Sequence, residues 1–266
     1  MWAGAPRRDW LVPIMLGLIG TAWAALLLWD HTPYGRYLDH GRWSEIGFTA
    51  TICRVIPAGQ VLLPAFLYVA GWLLMISAMM LPTTLPLLRR FHLMTAARSD
   101  HAGLLALLVG GYLLAWLGFG IAAHVVDFVL HVVASHSQWL VVNGWSLGAG
   151  LLAAAGLFQF SRLKYKCLDQ CRTPVSFIIR HWRGVVPRRD AFRLGLHHGL
   201  FCVGCCWAIM LLMFVVGTGN LGWMLLLGAV MATEKNARWG RKLSRPLGLV
   251  LIASAVLMAG AHLPMI

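Results

Sequence analysis

Charge is what this sequence has least of. Asp and Glu account for 9 of 266 residues, and charged residues of both signs make up 12%, where a soluble domain carries about a quarter. That scarcity excludes an ordinary water-soluble globular domain. The signatures of several enzyme classes are absent too. There is no glycine-rich phosphate loop, which argues against a nucleotide-driven pump, and no nucleophile elbow or HExxH pair, which argues against a hydrolase. The cysteines at 202–206 lack the following histidine of a c-type haem attachment site. No fixed-period repeat is visible. The longest polar segments, 30–60 and 161–194, are too small to be independent soluble domains, so residues 1–266 read as one integral membrane domain.

What the chain has in abundance is apolar sequence. Hydrophobic residues make up 59%, mean hydropathy is +0.73, and apolar runs of about 20 residues recur along the length, the pattern of a multispan membrane protein. Seven candidate spans lie near 10–29, 61–82, 102–123, 139–160, 195–216, 219–235 and 246–262. The first follows Arg7 and Arg8 without a small-residue cleavage site, and reads as a retained span. The expected fold is therefore an all-α polytopic transmembrane bundle.

The net charge of +13 fits basic cytoplasmic loops better than nucleic-acid binding. With the N-terminus inside, 19 of the 22 Lys and Arg fall on inner segments, and only Arg36, Arg42 and Arg54 fall outside. This bias predicts seven spans, N-in and C-out, with membrane lipids as partners. The basic "RHWRGVVPRRD" stretch is suited to anionic headgroups.

Against this background "GLHHGLFCVGCCWAIMLLM" (195–213) is unusual. At about 100° per residue, His198, Cys202, Cys205, Cys206 and Met213 fall within an arc of roughly 100° on the fifth span, with His197 pointing away. Imidazole, thiol and thioether on one face form the donor set that soft ions prefer, Cu(I) first and zinc second. The tight turn "VGTGN" makes the sixth span an antiparallel neighbour. Reflection across it sets Met231 level with Cys202 and Cys206, and Glu234 between His198 and Cys202. Cys167 and Cys171, four apart, share a face if the fourth span continues as a helix, and a thiol pair at that spacing can chelate. On the second span Tyr68, Trp72, Met75 and Met79 share a face, where methionine serves as packing or as ligand.

Most cysteines lie toward the reducing inner side, so free thiols are expected rather than disulfides; Cys53, in the outer segment, has no evident partner. At the outer end of the third span His124, Asp127 and His131 share one face, as a metal entry site, a proton-linked site or a hydrated loop.

Several blocks together are similar to a known bacterial family: "SAMMLPTTLPLL", "KYKCLDQCRTPVSFI", and "GLHHGLFCVGCCWAIMLLMFVVGTGNLGWM" closed by "TEK". The chain resembles the predicted metal-binding integral membrane proteins, a domain-of-unknown-function family sometimes described as copper chaperones. The resemblance runs from about Trp72 to Lys235 and rests on CxGCCW and CLxxCR; it implies that Cys167, Cys171, Cys202, Cys205 and Cys206 are the matched cysteines. Where such proteins read something like YQLTPLK, this chain has "FQFSRLK", keeping Gln159 and Lys164.

The leading expectation is thus a binding protein of the bacterial inner membrane, not an enzyme, that holds or passes copper (or zinc). Cys202, Cys205 and Cys206 would supply thiolates, His198 a nitrogen, Met213 or Met231 a thioether, and Cys167 and Cys171 exchange at the mouth. The alternatives are a membrane thiol–disulfide oxidoreductase using Cys202 and Cys205, and an accessory or assembly subunit with a membrane-protein partner. The 13 Trp and 5 Tyr offer anchors for such a partner, or for the membrane interface.

Overall fold

The computed structural model of the chain describes residues 10–31, 62–217 and 220–262. Arg7, Arg8, Arg36, Arg42, Cys53 and Arg54 lie outside these. Among the described residues every regular element is helical, as apolar runs require where no water can satisfy the backbone.

The helices are α1 (Leu11–Asp30), α2 (Leu62–Met79), α3 (Leu85–Thr95), α4 (His101–His136), α5 (Gln138–Val142), α6 (Trp145–Phe158), α7 (Arg162–Arg172), α8 (Pro174–His181), α9 (Pro187–Leu211), α10 (Met213–Val216), α11 (Leu221–Asn236) and α12 (Gly240–His262). Each expected span has a helical counterpart, but the lengths differ from the expectation. Among the described residues, four helices are long and apolar enough to cross a membrane, or up to five if the bent α2–α3 pair is one span. A count of seven is not supported, nor is the topology that depends on it. The shortfall lies in α6, 14 residues long, and α11, 16 residues long, against the ~20 that hydrocarbon requires. A window of mean hydropathy runs across the points where helices stop: the Asn220 side chain accepts from the Trp223 amide at 3.1 Å and starts α11 there.

The α2–α3 pair bends by 45° around a short 3-10 turn at Pro82–Thr84. Pro82 and Pro86 lack amide hydrogens, which ends the helical ladder. Thr83 and Thr84 donate their hydroxyls back to the carbonyls of Met80 and Leu81, at 2.7 and 2.8 Å. The moderately apolar 124–136 stretch extends the third expected span outward as part of α4. The expected inner loop 161–194 is largely helical. Ser161 caps α7 by accepting from the Lys164 amide at 3.1 Å, and Pro174 opens α8, a favourable first position for proline.

Close packing of α4 and α9 organises the interior. A Cβ at Gly195 would fall on the Leu108 carbonyl, and one at Gly111 on the Phe192 carbonyl. At Gly199 it would lie 2.6 Å from Ala115 Cβ. Small residues let two backbones approach this closely. Gly156 and Gly248 play the same part between α6 and α12, each facing the other's carbonyl at 2.9 Å from the position a Cβ would take.

The basic segments collect at one end. Arg241 at the start of α12 pairs with Asp169 of α7 at 3.3 Å, and α3, which carries Arg89 and Arg90, packs on α8. Outward-facing Leu28, Phe66, Phe128 and Leu257 are all well exposed, an apolar surface far larger than a water-soluble monomer presents.

Candidate metal centre: a buried thiol cluster

The face expected on the fifth span is an interior face of α9. His198, Cys202, Cys205 and Cys206 are each at most 3% exposed, whereas His197 lies on the exposed side. The repeat 198–202–205–206 follows the helical period, so one stripe turns inward as α9 packs on α4 and α7. The five described cysteines are free thiols.

They lie close together. Cys205 Sγ lies 3.3 Å from Cys206 Sγ, and its S–H donates to the Cys202 carbonyl at 3.2 Å. Cys202 and Cys206, four apart on α9, are both buried on its inner face. From α7, Cys171 lies near Cys205, and Cys167 sits over Gly204, where a Cβ would be 2.8 Å from its sulfur. The i, i+4 pair on α7 and the stripe on α9 therefore meet. Burial holds the Cys167 thiol above its ordinary range, partly opposed by Lys166, while Cys171 is half-buried and nearer the surface. Met213 and Met231 are fully buried and belong to the same apolar core, with Met75, Met79, Met80, Met210 and Met224.

Glu234 requires a correction. The expectation set it facing His198 and Cys202. Its carboxylate instead accepts from Lys164 Nζ at 2.7 and 2.9 Å and from the Ser244 hydroxyl at 2.7 Å. Lys164 also donates to Gln159 Oε1. The whole arrangement is buried, with Lys164 and Glu234 at 0% exposure. Arg172 donates to the carbonyls of Glu234, Lys235, Ala237 and Arg238 and closes the C-terminal end of α11, where carbonyls lack helical partners.

The residue of α11 that reaches the thiols is Lys235. Its buried ammonium lies 2.8 Å from Cys202 Sγ, 3.2 Å from Thr83 Oγ1 and 3.9 Å from Met80 Sδ. Tyr112 approaches the same sulfur at 3.1 Å and donates to the Met80 carbonyl at 3.3 Å. Lys235, Tyr112, Thr83 and Met80 were all missed by the reading of spacing. A signal for Lys235 existed, since it lies four residues from Met231 and therefore on the same face of α11. His198 sits between Tyr112 and Phe177, with ring centroids 6.0 and 5.3 Å away, and its buried Nδ1 makes no hydrogen bond.

At the opposite end, His124 packs on the Tyr68 ring at 4.2 Å and Asp127 is buried. The His131 side chain lies outside the described residues. Among the described residues, no three His, Cys, Asp or Glu side chains are arranged to hold a metal ion. The thiols touch one another but do not surround a vacant centre. Their chemistry nevertheless suits a soft ion, since thiolate and thioether favour Cu(I) over harder cations.

Fold and site together define, among the described residues, a helical protein with membrane-length apolar helices and buried free thiols on α9. Residues 69–258, well over half of the chain, match the family model described as PpoB2, copper chaperone, and the chain belongs to this family. No curated protein and no solved structure matches it.

Proposed function

We propose that this protein is a multi-pass inner-membrane copper chaperone that holds Cu(I) on the α9 thiols and passes it through the α7 pair. The observation that carries this reading is the buried face of α9 that holds Cys202, Cys205 and Cys206, against which α7 sets Cys167 over Gly204 and Cys171 near Cys205. Cys202, Cys205 and Cys206 supply thiolate sulfur. His198, whose Nδ1 lacks a partner, supplies nitrogen, and Met213 and Met231 line the core beside them. Half-buried Cys171, near Cys205, is suited to take or give the ion by thiolate exchange. In that step one Cu–S bond forms as another breaks and no electron moves.

The test is anaerobic purification in detergent under reducing conditions, followed by loading with Cu(I) and metal analysis. Wild type is expected to bind Cu(I) stoichiometrically. The Cys202→Ser/Cys205→Ser/Cys206→Ser variant is expected to lose that binding, and Cys171→Ser to keep the binding but slow transfer to a chelator. A wild type that cannot be loaded overturns the proposal.

A further inference from the structure

The ammonium of Lys235 lies against two sulfurs and a hydroxyl. Cys202 Sγ lies at 2.8 Å, Met80 Sδ at 3.9 Å and Thr83 Oγ1 at 3.2 Å, and the lysine is 5% exposed. A lysine is costly to bury in apolar surroundings and needs a specific partner there. Among the described residues the Cys202 sulfur is the nearest side-chain partner of the ammonium. The surrounding sulfurs are poor partners for an ammonium, which is a hard, strongly hydrated cation, and good ones for a soft metal. The seat thus has soft donors and a hard occupant.

We propose that Lys235 is an internal placeholder cation, and that Cu(I) exchanges with its ammonium at a seat formed by Cys202 and Met80. In the metal-free protein the ammonium sits beside the Cys202 sulfur. When Cu(I) arrives, a Cu–S bond forms to Cys202 as its S–H bond breaks, the thiol proton passes to water, and the ammonium contact opens. Lys235 keeps its proton and leaves as a cation, so the seat is left holding a neutral copper–thiolate unit. The route out is short, because Lys235 lies one residue from the end of α11 at Asn236, at the end where the basic segments gather. A lysine in that position can extend its stem toward the interface. Tyr112 holds the Cys202 sulfur in place during the exchange by its 3.1 Å contact. The inference rests on the copper reading above and adds the identity of the seat.

The exchange predicts a change in Lys235 itself. The detergent-solubilised full chain is treated anaerobically with an amine-reactive ester, with and without one equivalent of Cu(I) supplied as its acetonitrile complex. Lys235 modification is then followed by mass spectrometry. Lys235 is expected to resist labelling in the metal-free protein and to label at least tenfold faster when Cu(I) is bound. Met80→Leu, of similar volume, is expected to weaken Cu(I) retention against a chelator about tenfold. If Cu(I) binds and Lys235 stays protected, the exchange is wrong and the copper reading stands. If wild type binds no Cu(I), both fall. Should Met80→Leu fail to fold, the wild-type labelling still decides the matter.

Discussion

Lys164 and Glu234 are 70 positions apart and fully buried together, which makes their pairing an all-or-nothing feature. Removing one partner leaves an uncompensated buried charge, costing on the order of 3–5 kcal/mol. Lys164→Met should therefore lower the unfolding temperature in detergent sharply. Lys164→Met combined with Glu234→Leu should recover most of the loss, because an apolar pair of similar volume carries no desolvation penalty. A double variant as unstable as the single one would show that the pair is not the source of the effect. The same pair explains what could be read at this scale. The α9 stripe was legible because helical periodicity alone fixes which side chains share a face. The partners across from it were not, since they depend on how far α11 slides and rotates against α9. Reflection through a turn placed the wrong neighbour of the 234–235 pair against the thiols. Gln159 and Lys164, which belong to Glu234, lie on segments whose approach no local pattern encodes.

Glycines decide how the elements meet. Gly195 and Gly199 are four apart on α9 and both lie against the α4 backbone, while Gly103 and Gly110 on α4 have open space where a Cβ would stand. Gly195→Ala should destabilise the fold by about 1–3 kcal/mol, the usual cost of overpacking, because the atom it strikes is a main-chain carbonyl that cannot rotate away. Gly110→Ala should be neutral, or stabilising by up to ~1 kcal/mol from helix propensity. Thermal unfolding of the two variants side by side checks the contrast, and equal effects would refute the close-crossing account. Helix positions were legible from apolar runs at this scale, but helix ends were not. Of the expected 195–216 and 219–235 spans, one begins eight residues earlier, at Pro187, and the other starts two residues later, at Leu221. The apolar pattern is continuous across the α2–α3 bend, and the prolines at 82 and 86 were the signal that marked it.

For the whole molecule, the position of the thiols relative to the basic end links structure to route. Arg172 closes α11 one helix terminus away from Lys235, and Arg241 and Asp169 pair beside it. Cys171 therefore lies toward the end rich in Lys and Arg. Positive residues retained on the cytoplasmic side would make that end the loading face and set α4, α9 and α12 crossing from or toward it. Among the described residues four helices, or five with the bent pair, are long and apolar enough to cross, yet the orientation of this end does not depend on the total. Fluorescent reporters inserted between Thr95 and His101, or between α7 and α8 at Thr173, should be bright and protected from external protease in intact cells. A reporter placed after His262 should behave as external, because α12 starts at the basic end and has 23 residues in which to cross. If the insertion at Thr173 is cleaved from outside, Cys171 faces the exterior and copper must enter from there. The same insertions in spheroplasts given Cu(I) on one side only would then show which face fills the thiols, and loading from the face opposite the basic end would reverse the route proposed here.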